Sequence, residues 1–159
     1  MTRTIRSLTL LALSIFATQA LAQDKDAPPD ERGMEKVKRF LEICTTTPDM
    51  DEAGKLLIAE KVVHVSKRDK NNPTKLNPDS LRFAFKKAHG NASMYVPATL
   101  IRTVLTGTSA VGFGPTGQKG KLYKYFMGKK EGVNGMPAPV QVFYPEGGED
   151  PVVYDFGSF

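Results

Sequence analysis

Chemistry at neutral pH needs nucleophiles, acids, bases or metal ligands at a workable spacing, and this chain holds few of them: one cysteine, Cys44, and two histidines, His64 and His89. Two histidines this far apart do not by themselves specify a zinc site. His89 directly precedes Gly90 and reads as the end of a helix, where a partial positive charge suits the dipole. A set of Cys44, His64 and Asn71 or Asn91 has the residue types of thiol catalysis, but no local signature flanks the cysteine. Cys44 also falls at helical spacing with Val37, Phe40 and Leu41, which predicts a buried, inert thiol.

Three further patterns resemble functional motifs and fail on spacing. The glycine-rich stretch from Gly112 to Lys121 has Gln118 where a phosphate loop needs Lys, and a strand pattern follows instead of a helix, so it reads as a hairpin turn. Gly107-Thr108-Ser109-Ala110-Val111-Gly112 is one residue too long for a nucleophile elbow. The acids Glu146, Glu149 and Asp150 surround Gly147-Gly148 without the spacing of a calcium loop, and read as a solvated turn.

The elements that position these residues begin after an export signal. Arg3 and Arg6, an apolar run from Leu8 to Phe16, and Ala20-Leu21-Ala22 before a polar start have the order of a secretory signal peptide over residues 1–22. The run is too short and too interrupted to span a bilayer, and no cysteine follows it to carry a lipid. A periplasmic or secreted protein without a stable membrane anchor is expected. Removing residues 1–22 takes two of the 22 basic residues and none of the 17 acids, so the net charge falls from +5 to +3. The lysines are spread along the chain, which reads as a solvated surface and argues against nucleic acid as a partner. With a single cysteine there is no internal disulfide to expect.

Residues 23–32 read as a flexible leader, and 33–159 as one domain. Met34, Val37, Phe40, Leu41 and Cys44 mark one face of a helix over 33–45. Asp49 or Asp51 caps a short second helix with Ala53, Leu56, Leu57 and Ala59. Val62, Val63 and Val65 suit a first strand around His64, and a third helix runs from Asp79 to Ala88 with Gly90 beyond its end. From Tyr95 the pattern changes to short runs rich in Val, Thr, Tyr and Phe between Gly, Pro and Asn. Strands are predicted near Thr99–Phe113, Lys121–Met127, Pro139–Tyr144 and Val152–Phe156, joined by turns as antiparallel neighbours, with bends at Gly107, Gly112 and Gly114.

The prediction is therefore an α+β domain, N-terminal helices packed on a curved antiparallel sheet. Phe40-Leu41-Glu42-Ile43-Cys44, then Asp49 to Leu57, then Glu60-Lys61-Val62-Val63-His64 resemble the first helix, the acidic-capped second helix and the first strand of the nuclear-transport-factor-like, or SnoaL-like, cone superfamily. That resemblance implies a cavity between helices and sheet, and a family that holds both enzymes and members that only bind. Both faces of the strand Leu122–Met127 carry large apolar groups, as a cavity on one side and a helix on the other would require. The polar candidates on predicted strands are His64, Arg102, Tyr123, Tyr125 and Asp155, and none matches a catalytic motif. His64, Arg102, Tyr123 and Tyr125 are the expected ligand-binding residues.

The function expected is a non-catalytic module that binds a small apolar ligand or forms a homodimer, with no cofactor and no metal. An interaction factor of inhibitor or immunity type is the alternative, and a lyase, isomerase or hydrolase using His64 is another.

Overall fold

The computed structural model describes residues 30–111 and 117–159. The predicted signal segment, residues 23–29 of the predicted leader and the tip of the glycine-rich turn lie outside the described residues. Helix α1 spans Arg32–Thr46, and its stripe Val37, Phe40, Leu41 and Cys44 is buried as the spacing requires. It ends where Thr45 and Thr46 turn their hydroxyls back onto the Leu41 and Glu42 carbonyls, a side-chain competition that helices tolerate poorly. Helix α2 spans Met50–Ala59, and the Asp49 carboxylate accepts the Glu52 N–H at 2.8 Å. This is the expected cap.

The predicted strand around His64 is reduced to one parallel bridge, Val63 to Val153, with the His64 N–H donating to the Val153 carbonyl at 2.9 Å. The cause is His64 itself. Its Nδ1 accepts the Ser66 N–H and starts a tight turn over Val65–Lys67, which bends the chain away after a single pairing.

The third helix also departs from the prediction. It begins as a wide π turn over Ser80–Phe85, continues as α3 over Lys86–Asn91, and tightens to a 3₁₀ turn over Ala92–Tyr95. Gly90 lies inside α3 rather than beyond its end. His89 does stand in the last turn of α3, and its Nε2 donates to the Thr47 carbonyl at 2.8 Å, where α1 has just ended.

The sheet is a four-stranded antiparallel meander in the order β1 (Thr99–Val111), β2 (Gln118–Gly128), β3 (Ala138–Pro145) and β4 (Val152–Asp155). Bulges in β1 fall between Leu100 and Arg102 and between Leu105 and Gly107, the second at one of the glycines expected to bend the strand. The inner face, Tyr123, Tyr125, Met127, Val140, Val142, Tyr144 and Val153, joins one apolar cluster with the buried face of α1. Phe40 is its hub, with ring centroids 5.1 Å from Phe156, 6.0 Å from Phe159 and 6.4 Å from Phe85. The α+β prediction, helices on one face of a curved antiparallel sheet, is what the chain adopts.

Candidate functional site

The four residues expected to share a ligand site lie in three places. Tyr123 and Tyr125 are on the inner face, Arg102 is on the outer face, and His64 is at the β4 edge.

Tyr125 is fully buried, and its hydroxyl meets that of Tyr144 at 2.8 Å. The Tyr144 hydroxyl also donates to the Asp30 carbonyl at 3.2 Å. Gly33, in the first turn of α1, sits directly on both phenol oxygens, and its backbone reaches Tyr144. The N-cap Glu31 supplies no side-chain hydrogen bond. The Asp30 carboxylate accepts the Arg32 N–H at 3.0 Å, and a phenol from the sheet joins it at a helix end rich in unpaired N–H groups. Burial and the paired hydroxyl push the Tyr125 pKa far up, and burial raises that of Tyr144. Neither phenol is a base near neutral pH. Where the sequence suggested a cavity beside these tyrosines, the described residues form a packed helix–sheet contact.

His64 is 3 % exposed, edge-on to Phe143 at 5.5 Å and to Tyr154 at 5.4 Å. Ser66 supplies both its backbone N–H and its hydroxyl to Nδ1, so the neutral ring carries its proton on Nε2. Nε2 makes no well-formed hydrogen bond, although the Gln118 side chain lies close enough to favour the charged ring in part. Burial, with the nearby charges of Lys67 and Arg68, lowers the pKa below the ordinary 6.5. Among the described residues no carboxylate hydrogen-bonds this imidazole to orient it as a base.

The outer face of the sheet is where unsatisfied surface gathers. In an antiparallel pair, directly opposed residues share a face, so the pairing register assembles three rows across the strands. Arg102, Phe126 and Pro139 form the first, and the Arg102 guanidinium lies 4.2 Å from the Phe126 ring centroid. Val104, Lys124, Gln141 and Asp155 form the second. Gly107, Leu122, Phe143 and Val152 form the third. Phe143 is fully buried beneath His64, whereas Leu122, Lys124, Phe126, Gln141, Val152 and Asp155 are half-buried. Helix α1 packs on the opposite side of β3 and β4. Antiparallel sheets commonly turn one apolar face to the core and one polar face to water; this one is apolar on both.

The sequence pointed to both faces of β2 and to Asp155, but not to the row that joins Lys124, Gln141 and Asp155. The signal available was the alternation Leu122, Lys124, Phe126 opposite Pro139, Gln141, Phe143, legible once the register is known.

Among the described residues no group of three His, Cys, Asp or Glu side chains is placed to hold a metal ion, and no helix is long and apolar enough to cross a membrane. No family model, curated protein or solved structure matches the chain.

Proposed function

We propose that the mature chain is an exported, non-catalytic module that works by pairing with a second copy of itself through the outer face of its sheet. The observation that carries this reading is the row Lys124, Gln141, Asp155 set between two apolar rows. Neighbouring strands are about 4.8 Å apart, so Lys124 and Asp155 in one copy are roughly 10 Å apart, too far to pair with each other. They are placed symmetrically about Gln141. A two-fold axis along β3, between two facing sheets, lays β2 of one copy over β4 of the other. Lys124 then meets Asp155, Leu122 meets Val152, and Gln141 meets its own counterpart. Strand directions stay aligned, as packed sheets prefer, and the contact is self-complementary, as a two-fold interface must be.

The size of the face sets the expected strength. Strand β3 has eight residues but β4 only four, and His64 covers Phe143, so the patch is smaller than the roughly 25 by 19 Å of a full four-strand face and stays below about 1,000 Å² over both copies. That is at or below the low end for a specific interface, the range of weak or transient pairing.

The packed inner face favours pairing over the binding of a small apolar ligand between helices and sheet. The signal segment supports export. The order helix, short helix, a 62–64 segment pairing with the sheet, helix, then meander supports a place in the nuclear-transport-factor-like cone superfamily, and that too is a proposal.

Sedimentation equilibrium across a concentration series tests the pairing. Lys124→Glu and Asp155→Lys are each expected to be monomeric, because each sets like charges against one another. Mixed together they re-form a dimer, and so does the double variant. Asp155 also accepts the Gly157 N–H at 3.1 Å, so the melting temperature of each variant is checked first. A wild-type chain that stays monomeric throughout, or a dimer indifferent to both charge reversals, overturns the proposal.

A further inference from the structure

The helical run 80–91 carries a second surface. Phe83 is 66 % exposed, while Phe85, two residues on, is fully buried. Residues two apart on a helix face roughly opposite ways, so the two rings stand on opposite sides of the run. Around Phe83 stand Arg82, Lys86 and Lys87, with the Arg82 guanidinium 6.0 Å from its ring. These cations line an open groove of about 660 Å³ that continues past Gly90 and Asn91 and includes no carboxylate. A Cβ on Gly90 would meet nothing within 4 Å, so the groove has unfilled room there.

What sets this cluster apart is the exposed aromatic ring that its cations surround. Arg32, Lys36, Arg39 and Lys55 each have a carboxylate within 4.0 Å. Among the described residues Arg82, Lys86 and Lys87 have none. Three uncompensated cations around a protruding aromatic ring are the composition of an interfacial membrane contact, in which the ring enters the headgroup–acyl boundary and the cations meet anionic lipid.

We propose that this face is a peripheral docking site for an anionic phospholipid surface, with a headgroup phosphodiester in the groove and Phe83 inserted beside it. An acidic protein partner would satisfy the cations equally well. It would also have to supply a shaped pocket for a ring that stands clear of the groove, whereas a fluid bilayer accepts that ring without one. The site borders the sheet face at Gly157, whose N–H donates to the Asp155 carboxylate, and the contact is reversible rather than an anchor.

Co-sedimentation with vesicles is the test. The mature protein is expected to pellet with phosphatidylglycerol–phosphatidylethanolamine vesicles, to remain in solution with pure phosphatidylcholine, and to be released at about 0.5 M salt, where screening is nearly complete at 3–5 Å. Each cation near an anionic surface is worth about fivefold in partition, so Lys86→Gln/Lys87→Gln should weaken binding roughly 25-fold. Phe83→Ala should weaken it at every salt concentration, and Phe83→Trp should restore it. Equal pelleting with phosphatidylcholine, no pelleting with either vesicle, or a Lys86→Gln/Lys87→Gln variant that binds like the wild type would each overturn the proposal. So would a poly-glutamate peptide that binds the face while anionic vesicles do not.

Discussion

Gly33→Ala is the substitution on which helix propensity and tertiary packing disagree most directly. Propensity alone favours it, since alanine in a helix is better than glycine by up to about 1 kcal/mol, and less in a first turn. Packing opposes it. The new methyl would overlap the hydroxyl oxygens of both Tyr125 and Tyr144, and both rings are buried and linked through those hydroxyls. Overpacking of this kind costs about 1–3 kcal/mol. Moving either phenol also breaks the Tyr125–Tyr144 hydrogen bond and the Tyr144 contact with Asp30, each worth about 1 kcal/mol. The net expectation is a loss of about 2–3 kcal/mol, or a fall in Tm of roughly 5–10 °C for a domain of this size. Urea unfolding followed by circular dichroism measures it. The variant Tyr125→Phe/Tyr144→Phe removes both obstructing oxygens and leaves only the Tyr144 ring carbon Cζ at 2.9 Å, so Gly33→Ala should cost clearly less in that background. A Gly33→Ala protein more stable than wild type, or equally destabilised with and without the phenol oxygens, would refute the reasoning.

The other expectations are narrower. Burial pushes the Cys44 thiol up to about 12, so a thiol reagent at pH 8 should label the folded protein only at the rate of unfolding, and rapid labelling would contradict the packing of α1. His64 titrates with a depressed pKa in the native state, so the unfolded chain takes up a proton first as pH falls through 6.5. Stability should hold above that value and drop below it, by at most about 1.4 kcal/mol per pH unit. The Asp30 and Glu60 carboxyls, held low chiefly by hydrogen bonds from Arg32 and Arg39, weaken the fold only in more acid solution. A His64→Gln variant that keeps the same slope between pH 6.5 and 5 would show that another group is responsible.

Helix α1 was legible in the sequence because one-dimensional periodicity records burial on one face, and the strands because runs rich in Val, Thr, Tyr and Phe stand between turn residues. What misled was local chemistry overridden by a neighbour. The valines at 62, 63 and 65 favour a strand, but His64 captures the Ser66 N–H and turns the chain. Gly90 has the grammar of a helix end but lies inside α3, where His89, in the last turn, bonds the Thr47 carbonyl, 42 residues away in sequence. The four expected site residues failed to converge for a related reason. Tyr123 and Tyr125 share a face, while Arg102 pairs with Phe126 on the other, and that distinction depends on the bulge between Leu100 and Arg102 shifting the register by one. The cations around Phe83 were read as part of a spread of lysines because Arg82, Lys86 and Lys87 become one cluster only when the run is wound.

The two-sided apolar sheet is where sequence and structure together constrain function. A helix-covered sheet needs one apolar face, and here that requirement is met on the inner side by Tyr125, Met127, Val140, Val142 and Val153, all fully buried. The outer residues Leu122, Phe126 and Val152 are only partly covered within one copy. Their place in a face that also holds Lys124 and Asp155 at mirrored positions fits a face that is covered when the protein acts. The charges then fix which way round the cover sits, and the apolar rows supply most of the attraction.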